Sequence, residues 1–173
     1  MFGIKPTRAS LWIMAILLVA AGQAIGQAGQ LDPTFGQGGI VTTDFGNTSA
    51  TAAAIAIQPD GKIVVFGGMG ISSTALIAVR YNSDGSVDTG FGNAGIAGVP
   101  GLTFPSSMIL QPDGNIVDVG FNIGGHGGSL GVVVVRFSSD GTLDSTFGTG
   151  GVVITGITVS DAASGVVVQP DGP

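Results

Sequence analysis

The sequence predicts an all-β fold, on three observations. The chain holds 32 Gly beside many Val, Ile and Thr residues. All eleven of its acidic residues are Asp, a turn and cap residue, and it has no Glu. Three short motifs return in fixed order along the chain. Together these describe many short strands joined by tight turns, not helices.

With 173 residues there is enough chain for one ordinary domain. At 44% hydrophobic and 9% charged, it has the apolar surface needed to offset backbone entropy, which a disordered chain lacks. Glycine without a three-residue period excludes collagen. There is no Cys, so stability cannot rest on disulfides and a lipid-anchored cysteine is excluded.

Residues 1–28 read as a secretory signal peptide. Lys5 and Arg8 precede the apolar run Leu11 to Ala21, and small residues follow up to Ala28. That run is about half of the ~20 residues a membrane span needs, so no span is expected once the leader is cleaved. Export places the protein outside the cell or on its surface. The remainder keeps only Lys62, Arg80 and Arg136 against eleven Asp, a formal charge of −8. Such a chain has no electrostatic footprint for nucleic acid.

The repeat decides the architecture. Leu31-Asp32-Pro33-Thr34-Phe35-Gly36 returns as Val87-Asp88-Thr89-Gly90-Phe91-Gly92 and as Leu143-Asp144-Ser145-Thr146-Phe147-Gly148, each 56 residues on. Gln58-Pro59-Asp60-Gly61 returns at Gln111-Pro112-Asp113-Gly114 and Gln169-Pro170-Asp171-Gly172. Arg80-Tyr81-Asn82-Ser83-Asp84-Gly85 returns as Arg136-Phe137-Ser138-Ser139-Asp140-Gly141. The units are therefore 31–86, 87–142 and a partial third, 143–173.

Each unit reads as four strands. In the first they lie at 40–44, 52–57, 62–66 and 75–81; in the second, 107–110, 115–119 and 132–137 are the last three. The Pro-Asp-Gly and Ser-Asp-Gly segments supply the hairpin turns, with glycine taking the positive φ. Four short antiparallel strands in a unit of this length make a β-propeller blade. Two units and part of a third cannot close a ring of four to eight blades. The expectation is an incomplete ring, either part of a longer protein or a protomer that closes by self-association.

The combination L-D-x-x-F-G-x-G-G, Q-P-D-G-K-I-x-V-x-G and R-Y-x-x-D-G-x-x-D resembles the bacterial delta-60 repeat. That family is one of exported β-propeller repeats of uncharacterised function, and the resemblance runs from Leu31 to the C-terminus. It implies no catalytic residues. The second unit departs from the pattern at Asn115 and Asp118, where the first has Lys62 and Val65, which is expected to weaken its core.

The recurring positions read as structural. Phe35, Phe91 and Phe147 are packing residues. Arg80 and Arg136 are suited to ion pairs with Asp32, Asp88 or Asp144. Asp60-Gly61, Asp84-Gly85, Asp113-Gly114, Asp140-Gly141 and Asp171-Gly172 form turns. The segments 82–88 and 138–144 alternate oxygen-bearing side chains, but without a closing Glu they read as turns and not calcium loops. His126 sits alone in a glycine-rich loop, where it cannot be held for catalysis. Asn47-Thr48-Ser49 fits a glycosylation sequon, a pattern frequent by chance.

No catalytic, cofactor or metal residues are expected. The sequence reads as an exported structural or binding module, not an enzyme, with the loop Asn122 to Leu130 as the clearest ligand surface. The alternative is part of a secreted polysaccharide-acting propeller enzyme whose catalytic residues lie elsewhere.

Overall fold

A computed structural model describes residues 29–46, 48–70, 75–101, 104–123, 130–156 and 162–169. The leader, His126, Asn47 and the Asp171-Gly172 turn lie outside the described residues. Of the ligand loop, only the flanking strand ends are described. Met1–Asp32 and Pro33–Pro173 form separate units; in the first, the described residues 29–32 are exposed.

The second unit contains two four-stranded antiparallel sheets. The first is β1 (Ala50–Ile57), β2 (Ile63–Met69), β3 (Ala75–Tyr81) and β4 (Ile96–Pro100), hydrogen-bonded in that order. The second repeats it with β5 (Pro105–Leu110), β6 (Ile116–Ile123), β7 (Leu130–Phe137) and β8 (Val152–Thr155). No helix occurs among the described residues. Two blades with no closed ring are what the repeat predicted, and β1 and β5 are the strands at which the sheets approach each other.

The phase of the blade differs from the sequence expectation. The first predicted strand, 40–44, joins no ladder beyond the bridges at Ile40. Its equivalents, β4 and β8, are instead the fourth strands of the preceding sheets. The limits 86/87 and 142/143 therefore fall inside sheets, and a blade takes three strands from one sequence unit and its last from the next. The cause is the loop after β3. Arg80 N–H donates to Gly95 C=O at 3.1 Å and Asp88 N–H to Arg80 C=O at 2.9 Å. These bonds bring the chain back along the edge of β3. The loop after β7 repeats them, with Arg136 N–H to Gly151 C=O at 2.9 Å and Asp144 N–H to Arg136 C=O at 3.0 Å.

Residues 162–169 form no ladder, and Val167 is exposed.

The core lies between the sheets. On one side, strand alternation presents Val64, Phe66, Leu76, Ala78, Ala97 and Val99; on the other, Ile116, Val133, Val135, Phe137 and Val152. Phe66 and Phe137 meet at 5.6 Å between ring centroids, tilted by 56°. Such an aromatic pair adds about 1 kcal/mol beyond its buried area. β1 is rich in alanine (Ala-Thr-Ala-Ala-Ala-Ile-Ala-Ile); small side chains suit a strand where neighbouring sheets come close.

Candidate functional site

Polar chemistry concentrates in the loops after β3 and β7, residues 82–95 and 138–151. Each loop opens with a tight turn. Gly85 N–H donates to Asn82 C=O and Gly141 N–H to Ser138 C=O, both at 2.9 Å. Asp84 Oδ1 accepts Ser86 N–H at 2.9 Å and Ser86 O–H at 2.7 Å. Asp140 Oδ1 does the same with Thr142, at 2.9 and 2.7 Å. The Ser86 hydroxyl leads in holding Asp84 below its ordinary range, and the Thr142 amide leads for Asp140. Both carboxylates are thus spent on their own turns.

Next comes the ion pair. Arg80 Nε donates to Asp88 Oδ2 at 2.7 Å, and Arg136 Nε to Asp144 Oδ2 at 2.7 Å. Each guanidinium then lies 4.6 Å above the following aromatic ring, Arg80 over Phe91 and Arg136 over Phe147, a cation–π stack. Lys62 Nζ adds a contact to Asp88 at 3.0 Å and one to Asp60 at 3.8 Å. The Lys62 bond is the main cause holding Asp88 below its usual range, with the Gly90 amide and Arg80 contributing. Asp144 is also lowered, first by the Thr146 hydroxyl and amide and then by Arg136. The second unit has Asn115 where the first has Lys62, and Asn115 bonds to Asp113 at 3.0 Å instead.

Asp32 belongs to the other unit. The residue eight before it, the spacing of Arg80 from Asp88, is Ala24.

The loops also grip each other. Arg80 Nη1 donates to Ser139 C=O at 2.5 Å, and Gly92 N–H to Asp140 C=O at 2.7 Å. The Phe91 ring packs against Gly141: a Cβ there would stand 2.8 Å from two ring carbons. Phe91 is completely buried as a result. Arginine, phenylalanine and the following amide of one loop therefore hold the Ser-Asp-Gly turn of the next. Only glycine fits beneath the ring, and its φ of 87° suits it as well. One register earlier, Gly36 N–H bonds Asp84 C=O at 2.8 Å and Phe35 faces Gly85. We call this arrangement the clasp.

Sequence reasoning placed Arg with Asp, and Phe in packing. It missed the contact between loops 48 residues apart, Gly36 with Asp84 and Gly92 with Asp140. The signal for it was the Gly that follows Phe in all three copies.

The Asp60-Gly61 and Asp113-Gly114 turns close the β1–β2 and β5–β6 hairpins. Gly61 N–H bonds Gln58 C=O and Gly114 N–H bonds Gln111 C=O, both at 2.9 Å.

Asp118 stands apart. It lies on β6 between Met108 and Val135 in the ladders, on the face that carries Ile116 and packs on the first sheet. Only 2% of it is exposed and its Oδ1 has no hydrogen-bond partner. Burial pushes its carboxyl up to about 8, so it is neutral at pH 7. The other copy has Val65 at this position.

Among the described residues no three His, Cys, Asp or Glu side chains gather as a metal site. No helix there is long and apolar enough to cross a membrane.

A family model described as "Domain of unknown function (DUF5122) beta-propeller" matches residues 58–91 and 111–147. Each match begins at the Gln-Pro-Asp-Gly turn and ends at the phenylalanine of the clasp. No curated protein and no solved structure matches the chain. Those two segments are thus similar to a β-propeller domain of unknown function.

Proposed function

We propose that this chain is an exported structural or binding module, built of propeller blades that the clasp joins in series. The observation that supports the reading is where the recurring polar residues go. Arg80, Asp88, Asp84, Asp140, Arg136 and Asp144 all satisfy one another or their own turns. Catalysis needs groups left poised toward a substrate; here the repeated chemistry is consumed in assembly. Recognition of a ligand then falls to the segments that differ between copies, chiefly the loop Asn122 to Leu130.

Export rests on the leader at 1–28, with its basic start, apolar run and small-residue end. The resemblance to the delta-60 repeat points the same way.

The test is fractionation of a bacterial host making the C-terminally tagged chain, with N-terminal sequencing of the product. A product outside the cytoplasm, beginning near residue 27 or 29, is expected. Full-length protein kept in the cytoplasm overturns export. Release of reducing ends from polysaccharide by the purified chain overturns the module reading.

A further inference from the structure

We propose that Asp118 is a proton-operated gate in the seam between the two sheets. Protonated, it lets the sheets close; ionised, it draws water in along the border where β1 and β5 meet.

Asp118 stands on β6 with Met108 of β5 on one side and Val135 of β7 on the other. It is 2% exposed, and its Oδ1 has no hydrogen-bond partner. The first sheet meets it with the apolar core residues of β2, β3 and β4. Arg80 shares that face of β3, and its guanidinium is engaged at the clasp by Asp88 Oδ2 and the Ser139 carbonyl. Tyr81 and Arg136 lie on the opposite faces of β3 and β7. The strands β1, β2, β4, β5 and β8 contain no titratable residue. No charge on the seam is therefore placed to pair with an Asp118 carboxylate.

The way to water is short. β5 is the edge strand of its sheet, half-buried along its length, and it runs where the sheets approach each other at β1. Asp118 is thus one strand, about 4.8 Å, inside the border. In the ladder only Met108 lies between, an unbranched and partly buried side chain that shifts at low cost.

A neutral carboxyl in an apolar seam costs an unmade hydrogen bond, whereas an unpaired carboxylate there is far more costly. Ionisation therefore requires the seam to admit water. Burial pushes the closed carboxyl up to about 8, and hydration returns it towards its ordinary 3.8. The closed state holds the proton more tightly, so acid favours closure. The open fraction then rises about tenfold per pH unit between those two values and levels above the upper one. A valine, as at Val65 in the other copy, would hold the seam without this response.

The chain has no Cys, so a single introduced thiol reports on the seam. Ala78→Cys and Val99→Cys each substitute a buried residue of the first sheet's packed face, and either serves if the other fails to fold. Labelling by a methanethiosulfonate reagent is followed in the full chain from about pH 5 to about pH 9. The same thiol is measured beside Asp118→Asn, which keeps the shape but cannot ionise. The ratio of the two rates cancels the titration of the thiol itself. It is expected to rise about tenfold per pH unit and to level near pH 8. A flat ratio, or a seam thiol that stays unreactive at pH 9, overturns the gate. Val119→Cys, buried on the other face of β6, is expected to give a flat ratio. A ratio rising there in step would mean that ionisation unfolds the whole sheet, and would overturn the gate as well.

Discussion

Arg80 and Asp88 are joined by a 2.7 Å bond from Nε to Oδ2, with both side chains largely withdrawn from solvent. The bond spans eight residues and shapes the loop that returns β4 to β3. It also leaves Nη1 to bond the Ser139 carbonyl of the next loop, so one ion pair serves both the fold of a blade and its junction.

Arg80→Ala is expected to destabilise the protein by about 3 kcal/mol, since it leaves Asp88 partly buried and cuts the bond to Ser139. Arg136→Ala is expected to cost only about 1 kcal/mol, because its guanidinium is more exposed than that of Arg80 and grips no second loop among the described residues. Urea unfolding of the two variants checks the difference. Equal costs would mean that the contact between loops contributes nothing.

Gly141→Ala and Gly114→Ala separate backbone strain from the clasp. Both glycines have a φ of 87°, so both variants carry a similar conformational cost of roughly 1–2 kcal/mol. At Gly114 the nearest atom to a new Cβ is Ser139 Cβ at 3.4 Å, whereas at Gly141 it is the Phe91 ring at 2.8 Å. Gly141→Ala is expected to lose at least a further ~1 kcal/mol through the displaced ring. Thermal melts of the pair provide the measurement.

Asp118→Val restores the residue of the other copy. It is expected to stabilise the protein at pH 7 by about 1–3 kcal/mol, the usual cost of a buried polar group without a partner. A loss of stability would mean that the carboxyl has a partner it needs.

The pH dependence has two limbs with opposite causes. The folded-state pKa of Asp118 is raised to about 8 from an ordinary 3.8. The unfolded chain therefore releases this proton first, and stability falls as pH rises from about 4 to about 8, by up to about 1.4 kcal/mol per unit. Asp84, Asp88, Asp140 and Asp144 are lowered. Their contribution is present above the ordinary carboxylate range and disappears as pH falls through their folded values. Maximum stability is expected in mild acid, and Asp118→Val should flatten the upper limb while leaving the acid limb in place. Denaturant midpoints between pH 2 and pH 9 check both.

Phe66→Ala is expected to cost about 3–5 kcal/mol by opening a cavity between the sheets, and Phe137→Ala about the same. Both singles and the double variant, followed by denaturant unfolding, form a cycle whose coupling is expected to be favourable.

Much of this was legible in the chain. The turns at Asp60-Gly61 and Asp84-Gly85 carry their mechanism in a few adjacent residues, and the strands between them show in their apolar runs. The blade phase was not legible, because Ile96–Pro100 reads as the start of a unit whichever sheet it joins. The clasp was also hidden, since Arg, Phe and Gly recur at every repeat without naming which turn they hold.

By itself, the sequence determined the repeat, the all-β class, the four-strand count and the places where the chain must turn. These follow from local preferences of Gly, Asp, Pro and β-branched residues, which act over a few bonds. Only the tertiary structure decided that a blade borrows its last strand from the next unit, that Phe91 rests on Gly141, and that Asp118 faces the core. Those outcomes depend on which sheet face meets which, and packing between distant segments is what selects it.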